Sequence, residues 1–174
     1  VDGVVYENMT YEAYGPGGVA LVIEVLTDSR NRIGADIRHI LERSDGKMGV
    51  TGCVGWMFER KGVAYIPAAG NTEDGLMEIV LEAGVDDLSG DGELFEIKCP
   101  PEALDAVRAA LAKAAVTIES SEITMLPKTE VAVKTAPEAR KIKRIVDELE
   151  ELDDVQNVYH NADIPDALMQ ELGD

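Results

Sequence analysis

The sequence has little material for disulfide or metal chemistry. It contains two cysteines and two histidines among 174 residues, with no CxxC pair. Cys53 and Cys99 lie far apart, which suits two buried thiols in a reducing compartment better than a disulfide or a zinc site. His39 and His160 have no companion at ligand spacing, so a structural or surface role is the simpler interpretation. We therefore expect a cytoplasmic protein that holds no metal and no cofactor.

Long apolar runs and catalytic motifs are also missing. No run of eighteen apolar residues occurs, so we expect no membrane span. No calcium-loop or HExxH motif occurs, and no nucleophile has a base nearby in the sequence. The segment GPGG at residues 15–18 lacks phosphate-loop spacing and leads into a strand, where phosphate loops lead into a helix. We therefore expect no enzyme, and we interpret the clustered glycines as structural turns: Gly15, Gly17, Gly18, Gly46, Gly49 and Gly52.

Positive charge is scarce and unevenly distributed. The chain has 16 Lys and Arg against 34 Asp and Glu, a formal net charge of −18. Residues 1–61 carry a net charge of −2, residues 62–133 of −10 and residues 134–174 of −6. A chain this acidic is repelled by nucleic acid and by anionic membranes. Any nucleic-acid role therefore requires a local basic patch or a further segment.

Apolar periodicity predicts the elements of the two ends of the chain. Strands over residues 6–14 and 19–26 should form a hairpin, followed by a helix that begins at Asn31 as N-cap and is ended by Ser44-Asp45-Gly46. We predict a further strand over residues 53–59, in which Trp56 and Phe58 alternate with Met57, so that one set faces the core. Near the C-terminus, the pattern predicts a regular helix over residues 139–152 and a strand over residues 155–160.

The middle of the chain predicts a β-α-β-β-α-β order. The predicted elements are a strand over 63–67, a helix from the N-cap Thr72 to residue 83, a hairpin of 85–88 with 94–99, a helix from Pro101 and a strand over 117–126. This order is the ferredoxin-like split motif. We predict an α+β fold of two ferredoxin-like α/β sandwich domains. One is discontinuous, residues 1–61 plus 134–174, and residues 62–133 are inserted into it.

Two groups of cations are candidates for a contact surface. Asp28, Arg30, Asn31 and Arg32 lie where a buried strand meets a helix start, and Arg38 lies near the same end of that helix. The alternative is a capped helix start with solvated arginines. The second group is the densest basic run of the chain, at the start of the predicted C-terminal helix. Cations there oppose the helix dipole, so helix stability does not explain them. The alternative to a contact surface is a solvated helix face. That run comprises Lys134, Arg140, Lys141, Lys143 and Arg144.

Four collinear segments carry a resemblance to a known family. They are YEAYGPGGVALVIEVLTDSRNR from residue 11, ADIRH from residue 35, GKMGVTGCVGWMFERKG from residue 46 and VDDLSG from residue 85. Together they resemble the YebC/PmpR family over essentially the whole chain. The family's usual TDN reads TDS here, with Ser29 in place of asparagine.

The resemblance implies that this chain comprises the family's second and third domains, with the third inserted into the second. The family's N-terminal basic helical domain, with a motif like GHSKWxxIKxRK, is expected to be missing. The resemblance also implies a non-enzymatic regulator of gene expression. One expected role is a DNA-binding transcriptional regulator. The other is a ribosome-associated translation factor that relieves stalls at proline-rich sequences.

The expected partners are therefore DNA or the ribosome, through rRNA, tRNA or ribosomal proteins, together with the missing basic domain. Charge and position select the candidate contact residues Arg30, Asn31, Arg32, Arg38, Arg140, Lys141 and Arg144. Two other functions stay open at this point. One is a small-molecule-sensing ferredoxin-like regulatory module, and the other is a hydrolase using the acid-rich loops of the middle domain. The sequence leaves the oligomeric state open.

Overall fold

The computed structural model describes residues 3–172 as a mixed α+β protein with two antiparallel four-stranded sheets. The strands are β1 (Glu7–Tyr14), β2 (Ala20–Thr27), β3 (Lys47–Met48), β4 (Phe58–Pro67), β5 (Asp87–Gly90), β6 (Leu94–Cys99), β7 (Ser120–Pro127), β8 (Val131–Ala132), β9 (Val155–His160) and β10 (Ala162–Asp163). The helices are α1 (Arg30–Arg43), α2 (Glu73–Val80), α3 (Leu104–Lys113), α4 (Ala136–Glu150) and α5 (Asp166–Leu172).

The described residues separate into two compact units. The first combines the described residues of Val1–Phe58 and Pro127–Asp174, and the second is Glu59–Leu126. The ferredoxin-like assignment of the two domains, and the insertion of one into the other at the boundaries given above, stay predictions.

The first unit is a sheet in the order β3-β1-β2-β9, packed against helices. The chain pairs β1 with β2 as an antiparallel hairpin, Tyr14 opposite Ala20, and β9 runs antiparallel on the other side of β2. Because β2 is central, its apolar side chains are almost all buried. Ile33 and Ile37 of α1 and Ile145 of α4 join the same core cluster.

The second unit has its own sheet, in the order β5-β6-β4-β7. The strands β5 and β6 form the predicted hairpin, with Asp91 at the turn accepting backbone N–H groups from Glu93 and Leu94. A separate apolar core includes Leu76 of α2 and Leu111 of α3. The predicted N-cap Thr72 is confirmed, because its hydroxyl accepts the N–H of Gly75 at 3.0 Å.

Two predicted details are wrong. The N-cap of α1 is Ser29, whose hydroxyl accepts the N–H of Arg32, and Asn31 lies inside the first turn. Residues 53–59 do not form a strand of their own: Gly55–Met57 is a 3-10 turn, and β4 starts at Phe58 and continues through the predicted strand 63–67. Backbone N–H groups of this loop donate to the Glu12 carboxylate, and these long-range hydrogen bonds override the strand preference of its apolar and aromatic residues.

The turn between β1 and β2 requires glycine at two positions. Gly17 has φ of 75° and Gly18 has φ of 83°, which is the left-handed region that side chains with a Cβ rarely adopt. Gly15 donates its N–H to the carbonyl of Val19 at 2.7 Å and closes the turn. The turn joins the antiparallel strands β1 and β2.

Candidate nucleic-acid interface

Two helices of the first unit carry a large share of the positive charge. With 14 and 15 residues, α1 and α4 contain eight of the 16 Lys and Arg residues of the chain, against six Asp and Glu. These helices are therefore net positive, whereas the whole chain has a net charge of −18. We call their exposed surface the α1/α4 layer. Its cations are Arg30, Arg32, Arg38, Arg43, Arg140, Lys141, Lys143 and Arg144.

Ion pairs join the two helices at both ends. Lys141, near the start of α4, contacts Asp45 just beyond the end of α1. Arg32, at the start of α1, contacts Asp154 just beyond the end of α4. A further pair joins Arg43, the last residue of α1, to Glu148 of α4. The fold brings all seven sequence-predicted contact residues onto this one layer.

Arg32 is held by two carboxylates. Its Nη2 lies 3.0 Å from Oδ1 of Asp28 and 2.5 Å from Oδ2 of Asp154. Thr27 also donates its hydroxyl to Oδ2 of Asp154 at 2.7 Å. The hydrogen bond from Thr27 is the largest cause that lowers the pKa of Asp154, and Arg32 lowers it further against the effect of partial burial. Arg32 thus stabilises the junction of α1 with the end of α4.

Arg30 is more accessible than Arg32. Its side chain is 65% exposed and makes an ion pair, Nη2 to Oε2 of Glu7 at 3.1 Å. The hydroxyl of Tyr11 donates to the Arg30 carbonyl at 3.4 Å, which ties the start of α1 to β1. Burial raises the pKa of Tyr11, so this hydroxyl keeps its proton at neutral pH. Asn31 is exposed in the same turn.

Within the described residues, Arg38 and Arg140 are the cations of the α1/α4 layer that contact no carboxylate. Both are exposed, and among residues 3–172 neither makes an ion pair or a side-chain hydrogen bond. The other cations of α4 and the last arginine of α1 are paired with carboxylates. These pairs are Lys141 with Asp45, Lys143 with Asp147, and Arg43 and Arg144 with Glu148.

Two of the predicted turn glycines after α1, Gly49 and Gly52, belong to a loop that is built around a buried carboxylate, whereas Gly46 lies between α1 and β3. Glu12 of β1 is only 8% exposed. Its Oε2 accepts the N–H of Gly52 at 2.5 Å, and its Oε1 accepts the N–H of Val54 at 3.0 Å and that of Gly55. Burial alone raises the pKa of Glu12, but these three N–H donors reverse the effect and lower it. We call residues 49–57 the Glu12 loop.

The Glu12 loop carries an exposed tryptophan that sequence reasoning did not place. Trp56 is 67% exposed, whereas Phe58 two residues later is buried. The indole Nε1 donates to the carbonyl of Cys53 at 3.1 Å. The alternation around Met57 indicated one buried and one exposed set, but the 3-10 turn puts Trp56 and Phe58 in opposite environments. The sequence signal that could have predicted this loop is Glu12, because a carboxylate buried in a strand needs hydrogen-bond donors from another segment.

The isolated histidine on β9 has a structural position. His160 Nδ1 accepts the N–H of Ala162 at 3.1 Å. Burial lowers the pKa of His160, so the neutral ring is favoured. Among residues 3–172, no three His, Cys, Asp or Glu side chains converge as a metal site. Within the same residues, no helix has the length and apolarity needed to cross a bilayer.

Comparison with known proteins identifies the class. A family model described as "TACO1/YebC second and third domain" matches residues 6–162. A "Probable transcriptional regulatory protein" of Desulforapulum autotrophicum is 46% identical over 97% of this chain and 68% of its own length. One of Pelotomaculum thermopropionicum is 48% identical over 94% of this chain and 68% of its own length.

A solved structure has the same fold over almost the whole chain. The crystal structure of a conserved hypothetical protein from Aquifex aeolicus matches with a TM-score of 0.80 and 39% identity, over 95% of this chain and 68% of that one. The chain belongs to the TACO1/YebC family, whose relatives are named as transcriptional regulators.

Proposed function

We propose that this chain is a non-enzymatic regulator of gene expression that binds nucleic acid through the α1/α4 layer. One observation carries the proposal: a net positive pair of helices on a chain with a net charge of −18. Phosphate contacts need exposed cations, and counterion release supplies much of the free energy of such binding. The regulator names of the relatives support the same role.

The cations of the layer divide into two groups by their contacts. Arg32 has two carboxylate partners, so its first role is to hold α1 near the end of α4. Arg38 and Arg140 are exposed without an ion pair in the described chain, so they reach a phosphate without first losing a partner. Arg30, with one exposed partner, is intermediate. We therefore rank Arg38 and Arg140 first as contact residues.

The test is the salt dependence of binding. Substituting Arg38→Gln and Arg140→Gln together removes two cations without breaking an ion pair of the described chain. If both contact phosphates, the slope of log K against log salt falls by about 1.4 on single strands and about 1.8 on duplex DNA. Lys113→Gln is the matched control, because Lys113 is an exposed helical cation of the second unit. An unchanged affinity and slope in the double variant contradicts the proposal.

Two targets follow from the family resemblance, promoter DNA and the ribosome. Co-sedimentation with ribosomes and binding to promoter fragments, each at low salt and at about 0.5 M salt, distinguish them, because phosphate contacts weaken steeply over this range. If the wild-type chain pellets with ribosomes and the Arg38/Arg140 variant does not, the result supports a translation factor. Such a factor includes one that relieves stalls at proline-rich sequences. Retention of promoter DNA alone supports a transcriptional regulator.

A further inference from the structure

The Glu12 loop presents an apolar surface that packing does not use. Trp56 is 67% exposed and Val50 is 78% exposed. The single polar atom of the indole is already bonded to the Cys53 carbonyl, so the exposed remainder of Trp56 is mainly its aromatic carbon surface. Tryptophan is enriched at recognition surfaces, where its large aromatic ring contributes most of the contact area.

The backbone of the loop is fixed before any ligand binds. Three N–H groups bond to the Glu12 carboxylate, and the Gly49 N–H donates to the Glu12 carbonyl at 2.8 Å. The N–H of Cys53 closes a turn onto the carbonyl of Val50 at 3.1 Å. Trp56 is thus carried on a preorganised segment, which lowers the entropy lost when a ligand packs on it.

Two lysines lie beside the loop. Lys47 Nζ lies 5.7 Å from the centre of the Tyr14 ring, and the Tyr14 hydroxyl donates to the same Cys53 carbonyl, at 3.5 Å, that accepts the Trp56 N–H. The backbone N–H of Lys128 donates to the Met57 carbonyl at 2.8 Å, so Lys128 is next to the loop in the fold. Both lysines are exposed, and neither makes an ion pair among residues 3–172.

The loop itself carries no exposed negative charge that would repel an anionic ligand. Residues 49–57 contain no charged side chain. The carboxylate of Glu12 is buried, and its oxygens accept three backbone N–H groups. An exposed aromatic side chain with lysines nearby in the fold is a combination that suits single-stranded nucleic acid, through base stacking and phosphate contact.

We propose that Trp56 stacks on one unpaired base of a single-stranded RNA segment, while Lys47 and Lys128 contact the phosphates on either side. The inference rests on the proposed nucleic-acid function and adds a second contact site to it. Bases of duplex DNA are stacked inside the helix, whereas RNA loops and ends offer unpaired bases to aromatic side chains. Two exposed apolar residues are also too small a surface for a stable protein interface, which buries about 800 Å² on each partner.

The test uses the fluorescence of the protein itself, because Trp56 is its only tryptophan. The full chain is titrated with an unstructured RNA heptamer and with the same sequence as a duplex, and anisotropy of the labelled RNA gives the affinity. We expect the single strand to quench Trp56 emission and the duplex to leave it unchanged. Trp56→Ala should weaken single-strand binding by about 5- to 150-fold, whereas Trp56→Phe should retain most of it.

Tyr6→Ala is the matched control, since Tyr6 is an aromatic residue that is 60% exposed on the same unit. Its affinity should not change. Circular dichroism of each variant checks that the fold is retained. A concentration-dependent change of Trp56 emission without RNA would identify a second copy of the chain as the occupant, and would overturn the inference.

The remaining outcomes separate the two proposals. RNA binding without quenching, and with unchanged affinity in Trp56→Ala, overturns the inference while the α1/α4 layer stands. Equal quenching by duplex and single strand also overturns it, because a paired base does not reach the indole. If no nucleic acid binds the wild-type chain, both proposals fail.

Discussion

Removing the charge of Glu12 should destabilise the first unit more than removing any exposed carboxylate. In Glu12→Gln, the oxygen that accepts from Val54 and Gly55 is conserved, but an amide NH2 faces the N–H of Gly52. One buried N–H then has no acceptor, and the remaining hydrogen bonds lose their charge assistance. Hydrogen bonds to charged groups contribute about 1.5–3 kcal/mol, and an unsatisfied buried donor costs about 1–3 kcal/mol. We expect a loss of about 2–4 kcal/mol in the free energy of unfolding.

Urea denaturation measures this loss in the free energy of unfolding. The fluorescence of Trp56 monitors the transition within the Glu12 loop itself. Glu7→Gln is the matched control, because Glu7 is an exposed carboxylate on the same strand and its pair with Arg30 is exposed. An exposed pair of this kind contributes about 0–1 kcal/mol. A difference between the two variants below about 0.5 kcal/mol at pH 7 would refute the role assigned to the three backbone donors.

The stability difference between wild type and Glu12→Gln should depend on pH, and the direction follows from the sign of the pKa shift of Glu12. The folded state lowers the pKa of Glu12, so its charged form stabilises the folded chain above the pKa of the unfolded state, about 4.3. This contribution is lost as the pH falls through the folded-state pKa. The stability gap between wild type and Glu12→Gln should therefore be full at pH 7 and shrink below about pH 4. A gap that is constant from pH 7 to pH 3 would contradict the assignment.

Two further substitutions test the packing of the α1/α4 layer. Thr27→Val removes the hydroxyl that donates to Asp154, so the pKa of Asp154 should rise toward its ordinary value. An NMR titration that follows the carboxyl carbon of Asp154 measures this pKa. An unchanged pKa would mean that Arg32 alone causes the shift. Ile145→Ala opens a cavity in the core shared by α1 and α4 and should cost about 2–5 kcal/mol by urea denaturation, whereas a cost below about 1 kcal/mol would mean that the helices repack.

Elements with strong local patterns were predictable from the sequence. The strand β9 has the predicted bounds, residues 155–160, and α4 was found from apolar residues spaced at 3.6, although its N-cap, Thr135, lies four residues before the predicted start. The seven candidate contact residues were selected from charge and helix position alone. Their grouping on one layer depends on the packing of α1 against α4, which no local pattern contains.

Partners distant in the chain explain what the sequence did not predict. Arg32 looked free for a ligand, but its carboxylate Asp154 lies 122 residues away. The segment over residues 53–59 had the composition of a strand, but Glu12, about 40 residues earlier, bonds its backbone N–H groups. Those N–H groups are therefore unavailable to a neighbouring strand, and a 3-10 turn forms instead. Local propensity loses to a buried charge that needs several donors at once.

The acidity of the chain limits how it can bind the nucleic acid that we propose as its partner. A phosphate chain that approaches the α1/α4 layer or the Glu12 loop meets cations locally, but the excess of carboxylates elsewhere repels its extension. Attraction at the basic sites is therefore offset by repulsion once the nucleic acid extends beyond them. Binding should therefore involve a short stretch of the nucleic-acid backbone. The slope of log K against log salt concentration should be a few units rather than about ten. A short stretch of this kind favours a defined, protruding nucleotide segment over nonspecific coating of a long duplex.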